Sequence, residues 1–302
     1  MSDSPQRTTA EAVTQGLDLS GQIALVTGCT AGIGMESMRV LALRGAHVLA
    51  TGRTQAKVER VCQAMPGTIT PLALELTDLD SVNRCAATIA SMGIVPDIVM
   101  CNAGVDNFGG IEFVSGIEKV FFTNFLSHFV LVNNLLPNML RRGGGRLVHV
   151  SSNCAYQTGP KGVPAEGIDF DNLRGEGVFH AQAAYARSKL ANALFSFELA
   201  RRLDGTGVTS NALHPGSILT NIAHSAPTEI RDGIKKYAHR LMTLAQGAAT
   251  RPELSQISGQ FFERCQPLCP EGPHFLEDKR LAETLWATAV KMAQGHLVPW
   301  LE

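Results

Sequence analysis

Residues 23 to 44 constrain this chain more than any other stretch. A short apolar run from Ile23 to Thr27 ends in a glycine-punctuated turn and passes into helix-compatible sequence through Arg44. Strand, tight turn and helix in that order open a βαβ unit. The pattern then repeats. AHVLATG reads as a second strand, QAKVERVCQAM as a helix, TITPLALEL as a third strand, and DLDSVNRCAATIASM as a helix opened by Asp78 as N-cap. DIVMCNAG is a fourth strand. After it come a helical segment from about Ile117 to Leu140, a strand RLVHVSS, a long insertion, a helix from about Ala183 to Leu203 and a strand VTSNALHPG. Strands alternating with helices predict an α/β fold, a doubly wound parallel sheet with helices on both faces.

At 302 residues the chain fits one open α/β domain better than two. Residues 1–18 read as a flexible polar tail and residues 19–302 as the single domain. The 26 Lys and Arg nearly cancel the 27 Asp and Glu, so no diffuse positive field gathers phosphate backbones or anionic lipid. Nucleic acid and membrane are therefore not expected partners. No apolar run has the length of a signal peptide or a membrane helix. Seven scattered cysteines do not form a disulfide framework, and a reducing, cytoplasmic location is expected. Cys265 and Cys269, with His274 nearby, have CxxxC spacing but lack the second ligand pair of a structural zinc site, so no metal is expected. The RRGGGR run at 141–146 precedes a strand instead of following one, which marks a connector and not a nucleotide loop.

Thr27-Gly28-Cys29-Thr30-Ala31-Gly32-Ile33-Gly34 lies where the first strand ends and the first helix begins. There a pyrophosphate meets backbone N–H groups and the positive helix end, and a Cβ would block its approach. A nicotinamide dinucleotide is the cofactor such a turn would hold. About twenty residues on, where an NAD enzyme places a carboxylate on the ribose 2′-hydroxyl, the chain has Gly52 followed by Arg53. With no acid to repel a 2′-phosphate and a guanidinium to pair with it, the site reads as built for NADP(H), with NAD(H) second. Glu75 and Leu76, near the end of the third strand, are in position to face the adenine. Glu75 reads equally well as a surface acid.

Tyr185 and Lys189 lie four apart in a helix-compatible stretch, which puts both side chains on one face. A phenol titrates near 10, so it needs nearby positive charge to act as a base at neutral pH. Lys189 and an oxidised nicotinamide would supply that charge, and Tyr185 would exchange a proton with a substrate oxygen. Ser151 and Ser152 end a strand at the carboxyl edge of the sheet, where a hydroxyl can hold a reacting carbonyl oxygen.

Taken together these residues resemble the short-chain dehydrogenase/reductase family, within it the group around the retinol dehydrogenases and the WW-domain oxidoreductase. The resemblance runs from about Leu17 to Glu302. It rests on TGCTAGIG, CNAG at 101–104, Asn124 within FFTNFLSHFVLVNNLLP, VSS at 150–152, YARSKLANALF at 185–195, HPGSILT at 214–220 and LAETLW at 281–286. It implies a single Rossmann-type domain that moves a hydride between nicotinamide and a carbonyl carbon on an apolar small molecule. It implies Tyr185 as general acid/base, Lys189 as the residue that binds nicotinamide ribose and lowers the Tyr pKa, and Ser152 as the carbonyl-positioning hydroxyl. Asn124 resembles the helix Asn that supports a water leading to the lysine. Asn102, Ala103 and Gly104 match the turn beside the adenosine ribose; Pro215, Gly216, Ile218 and Thr220 match the segment that holds the carboxamide and pyrophosphate.

Ser152 and Tyr185 stand 33 positions apart, longer than in the simplest family members but in keeping with the retinol dehydrogenase-like group. Ala223 to Pro270 matches poorly apart from ISGQFF. There the family builds its substrate lid, placed here at about 221–275. Family members often form homodimers or homotetramers through paired helices, here the surfaces near Asn124 and Ala191. Phe195, Phe197 and Leu199, at helical spacing, read first as core. Two other functions stay open: an NADP(H)-binding sensor, a class that usually loses the Tyr or Lys retained here, and a reductase of a carbon–carbon double bond.

Overall fold

The computed structural model describes residues 9–107, 109–157, 162–177, 180–216, 257–263, 266–268, 270–271 and 274–299. Its centre is an eight-stranded sheet built from β1 (Ile23–Val26), β2 (His47–Gly52), β3 (Ile69–Ala73), β4 (Ile98–Cys101), β7 (Gly145–Val150), β8 (Val208–His214), β9 (Phe261–Glu263) and β10 (Gln266–Pro267). Across the sheet they run β3-β2-β1-β4-β7-β8-β9-β10. The chain winds outward from β1 to β3, then crosses back to lay β4 on the other side of β1. The sheet's direction of winding reverses between β1 and β4, and ligands of open α/β sheets bind at such a reversal. Val26 sits in register with Met100, so both strands end at the same level.

Successive side chains of a strand point to opposite faces, and here each face has its own core. Leu25, Leu49, Val99 and Leu147 enter one core; Val26, Val48, Ala50, Met100 and Val150 enter the other. The second core is closed by Met38 of α2 (Gly32–Leu43) and Val58 of α3 (Gln55–Cys62). The first is closed by α4 (Leu79–Ser91), by a rod running from α5 (Lys119–Phe121) through a π-helical turn (Phe122–Leu126) into α6 (Ser127–Arg142), and by α7 (Ala181–Arg202) and α8 (Lys279–Met292). Phe121, Phe125, Phe129, Phe195 and Trp286 tile its centre with neighbouring rings 5.0–6.0 Å apart and tilted or edge-on, the arrangement aromatic quadrupoles favour. Contrary to the expectation that no segment reaches membrane-helix length, Lys119–Arg142 is long and apolar enough to cross a membrane, though 89% of its most apolar window is buried in the protein, as in a core helix. Phe195 and Leu199 are buried in the same core, with Phe197 packed at its margin.

Asp78 caps α4 by accepting from Asp80 N–H, as its sequence predicts, and Gly143, in the left-handed region at φ 79°, ends α6 within the RRGGGR connector. Four further expectations change. From Thr9 onward the polar tail contains a short helix, α1 (Ala10–Val13), whose Ala10 is buried against Val40; Arg44 anchors it through Thr14 Oγ1 and Glu11 O. Ile117 belongs to a hairpin, β5 (Phe113–Val114) with β6 (Ile117–Glu118), because Ser115 and Gly116 both take positive φ, as a two-residue primed turn requires. The sheet is not wholly parallel: β10 runs antiparallel to β9 at the edge, where Pro267 needs no ladder donor. Within the stretch placed in a variable lid, Phe261–Glu263 and Gln266–Pro267 instead extend the sheet, with Phe261 and Phe262 buried and Ala212 paired with Phe261. The remainder of that lid up to residue 256, and Cys265 and Cys269, lie outside the described residues.

Candidate active site

β1 delivers Thr27 to the carboxyl edge of the sheet, and the chain then turns sharply into α2. Gly28 (φ 76°) and Gly32 (φ 63°) hold backbone conformations that side chains resist. A Cβ on Gly28 would stand 2.9 Å from Ala103 Cβ, and one on Gly34 would stand 2.5 Å from Asn102 Nδ2 and collide with Gly28 O. A Cβ on Gly52 would stand 2.8 Å from Thr30 Cγ2 and from Val58 Cγ2. These glycines allow three backbone segments to converge. No side chain caps the N-terminus of α2 at Ala31, which leaves its first-turn N–H groups available to an anion. A dinucleotide pyrophosphate fits this cradle, as the sequence motif requires.

Asn102 and Ala103 bond to the cradle through Thr27. Asn102 Nδ2 donates to Thr27 O at 2.8 Å, and the N–H groups of Asn102 and Ala103 both donate to Thr27 Oγ1 at 2.9 Å. Ile33 is half-buried behind the turn. Arg53 is exposed just past β2 and has no ion-pair partner among the described residues. Glu75 turns inward on its own loop, where its Oε1 accepts from Thr77 N–H at 2.9 Å and Thr77 Oγ1 at 2.8 Å. Leu76 is buried, and its carbonyl accepts from Ser127 Oγ. Pro215 and Gly216 are half-buried at the end of β8; Ile218 and Thr220 lie outside the described residues.

Gly104 joins this cradle to the chemical end. A Cβ there would stand 3.2 Å from Asn124 Oδ1 and 3.5 Å from Lys189 Nζ. Lys189 is buried, its Nζ 5.5 Å from the Tyr185 ring centroid, and it donates to Val150 O at 3.0 Å. The end of β7 is tied to α7 by Ser151 Oγ, which donates to Lys189 O at 2.7 Å. Among the described residues the neighbouring Ser152 hydroxyl makes only long contacts, 3.4 Å from Cys154 N–H and 3.3 Å from Asn153 Oδ1, and is weakly committed to them. Asn124 is fully buried in the π-helical turn, a distortion that often accompanies functional sites. It accepts from Val105 N–H at 2.7 Å and donates to Val105 O at 2.9 Å and Ser188 Oγ at 3.0 Å.

Burial drives Lys189 down to about 8, opposed by the anionic forms of Cys154 and Asp106. Burial also pushes the Tyr185 phenol above its ordinary value, and Cys154 and Asp106 add to the rise. The sequence argument drew the lowering of this phenol from Lys189 together with an oxidised nicotinamide; in the protein alone, burial sets the direction. The result is a neutral phenol, a proton donor, beside a lysine that is still charged at pH 7.

Sequence reasoning passed over Asp106, Cys154 and His128. Asp106 follows the clamped Val105 and lies within electrostatic reach of Lys189 and Tyr185; burial raises its carboxyl to about 6, opposed by Asn107 N–H and by Lys189. Burial likewise raises the Cys154 thiol to about 11. Asp106 stands only two residues after Gly104, and His128 one helical turn after Asn124, so both were within reach of a closer reading. Among the described residues no cluster of His, Cys, Asp and Glu could hold a metal ion.

A family model for short chain dehydrogenases matches residues 22–164. The chain is 33% identical to the chloroplastic short-chain dehydrogenase TIC 32 A of Brassica napus, covering 95% of this chain and 93% of that protein. It is 32% identical to the human WW domain-containing oxidoreductase, over 96% of this chain and 72% of that protein. The same identity links it to human retinol dehydrogenase 13, over 91% and 85%. Among solved structures it is similar to an uncharacterized protein of Mycobacterium paratuberculosis, with TM-score 0.72 and 27% identity over 95% of this chain and 98% of that one. It is also similar to an NAD(P)-dependent gluconate 5-dehydrogenase of Beutenbergia cavernae with bound NADP at low occupancy, with TM-score 0.63 and 27% identity over 82% and 96%.

Proposed function

The chain belongs to the short-chain dehydrogenase/reductase family, and from that premise we propose that it uses NADP(H) to interconvert a carbonyl and an alcohol on an apolar small molecule. The observation that carries this reading is the buried Lys189 beside the neutral Tyr185 at the carboxyl edge of the sheet. A nicotinamide held there would supply or accept the hydride at the substrate carbon. Tyr185 donates its phenolic proton to the carbonyl oxygen in the reducing direction and recovers it in the oxidising one. Lys189 stabilises the phenolate left behind, at short range and in low dielectric. The loosely held Ser152 hydroxyl donates to the same oxygen, and Asn124 keeps the 104–106 segment against Lys189.

The cradle of Gly28, Gly32 and Gly34 and the N-terminus of α2 would hold the pyrophosphate, with Asn102, Ala103, Pro215 and Gly216 around it. Arg53 supports the preference for a 2′-phosphate, since its guanidinium is exposed and unpaired among the described residues. Retinol, in the name of one relative, is an apolar alcohol and supports the substrate class.

The test is fluorescence titration with NADPH and NADH, followed by NADPH oxidation across a panel of carbonyl compounds with wild type and Tyr185→Phe. Tighter NADPH binding, and a turnover that falls by roughly 10²–10⁴ in the variant while NADPH still binds, is the expected result. Wild-type protein that binds NADPH and reduces no carbonyl would overturn it.

A further inference from the structure

His128 is buried on α6, and both of its ring nitrogens are engaged. Nε2 lies 2.9 Å from Thr27 Oγ1 at the start of the glycine turn, and Nδ1 lies 2.9 Å from Asn124 O in the π-helical turn. The proton positions follow from counting donors. Thr27 Oγ1 already accepts from two backbone N–H groups, those of Asn102 and Ala103, which fills both lone pairs. Its own proton must therefore be donated. Met100 O is a long 3.4 Å away and His128 Nε2 is near, so Nε2 accepts. The ring then carries its one proton on Nδ1, where it donates to Asn124 O. Burial, the first cause, and the Lys189 charge hold the imidazole down at about 4, opposed by the bond to Asn124, so the ring is neutral at physiological pH.

This makes a continuous, directional path. It starts at the N–H groups of the Asn102–Ala103 turn, passes through the Thr27 hydroxyl and the His128 ring, and ends on the Asn124 carbonyl. From Asn124 the side chain continues to Val105 and to Ser188 Oγ, and Ser188 Oγ donates to Tyr185 O at 2.7 Å. Thr27 and His128, which meet at its centre, are 101 residues apart in sequence. Buried polar chains of this kind polarise one another and hold a single geometry, and an unpaired member is costly.

We infer that His128 is a positioning residue, which in its Nδ1–H form links the cofactor turn at Thr27 to Asn124 and so to the helix of Tyr185 and Lys189. The inference rests on the function proposed above. A buried histidine that only fills space would satisfy its nitrogens without joining the two halves of a site.

The test uses the full chain. In wild type, long-range ¹H–¹⁵N correlation spectra should show the His128 proton on Nδ1 and no titration near the ordinary histidine value; a proton on Nε2 overturns the inference before any variant is made. NADPH is then titrated by fluorescence into wild type, His128→Phe, Thr27→Val and the double variant. His128→Phe should weaken NADPH about tenfold, the equivalent of roughly one buried hydrogen bond. In the Thr27→Val background the same change should cost less than about twofold, because the link is already cut. Thr27→Ser, which keeps the hydroxyl, should recover most of what Thr27→Val loses. His128→Asn keeps an amide near Nδ1 and His128→Gln one near Nε2, so the first should lower NADPH affinity more than turnover and the second turnover more than affinity. Effects of His128→Phe and Thr27→Val that multiply in full show two independent residues and overturn the inference while the proposed function stands. Wild type that fails to bind NADPH overturns both.

Discussion

Asn124 grips the peptide of Val105 from both sides, accepting its N–H at 2.7 Å and donating to its carbonyl at 2.9 Å. A buried side-chain amide that replaces a strand neighbour in this way fixes the backbone where β4 has already ended. It therefore decides where the next residue, Asp106, is held, and two consequences follow for that carboxyl.

The first concerns stability. Burial raises Asp106 from an ordinary 3.8 to about 6, so between those values the folded protein binds a proton that the unfolded chain does not. The favourable contribution is complete below the lower value and is lost as pH rises through about 6. Asp106→Asn removes this dependence. Thermal melts should show little difference between variant and wild type near pH 4 and a more stable variant above pH 6. A difference that is constant with pH would contradict the raised carboxyl.

The second concerns the neighbouring ammonium. Burial sets Lys189 at about 8, and Asp106 is one of the anions that hold it up. Asp106→Asn takes that support away, so the ammonium loses its proton at lower pH. The alkaline limb of kcat/KM for carbonyl reduction, expected near pH 8, should move toward acid in the variant. If the limb stays where it is, Asp106 does not act on Lys189.

Gly34→Ala introduces a Cβ into the space held by Gly28 O and Asn102 Nδ2. Gly28 O is backbone and Asn102 Nδ2 is held by its bond to Thr27 O at 2.8 Å, so neither yields cheaply. The variant should bind NADPH more than about tenfold more weakly and melt at lower temperature. Unchanged binding would remove the turn from the cofactor site.

Arg53→Ala should weaken NADPH by about ten- to a hundredfold, the equivalent of roughly 1.5–3 kcal/mol, and leave NADH unaffected. The titration of both nucleotides decides it. Equal losses for the two would show that Arg53 does not read the 2′-phosphate.

The alternation of strand and helix was legible because each element declares itself locally. Strands show as apolar runs, helices as apolar residues at helical spacing, and the α4 cap as an Asp before the first turn. The glycine turn was legible for a related reason, since steric exclusion of Cβ acts within a few residues. The hairpin at 113–118 escaped because Ser115 takes a conformation that its residue type rarely adopts. α1 escaped because a segment of four residues is too short to show a periodicity, and only the face of α2 gives Ala10 a place to bury. Glu75, read as facing the adenine or as a surface acid, instead accepts from Thr77, a contact two residues away that its position on the strand did not announce.

What the sequence determined by itself is what short-range sterics and periodicity encode: the alternation of strands and helices, the position of the glycine turn after β1, and the sharing of one helix face by Tyr185 and Lys189. Tertiary structure alone decided the charges and contacts between those parts. Strand order brings β1 beside β4 and sets His128 against Thr27 across 101 residues, and burial pushes the Tyr185 phenol up and the Lys189 ammonium down. Desolvation depends on everything packed around a group, and no neighbouring residue in the chain reports it.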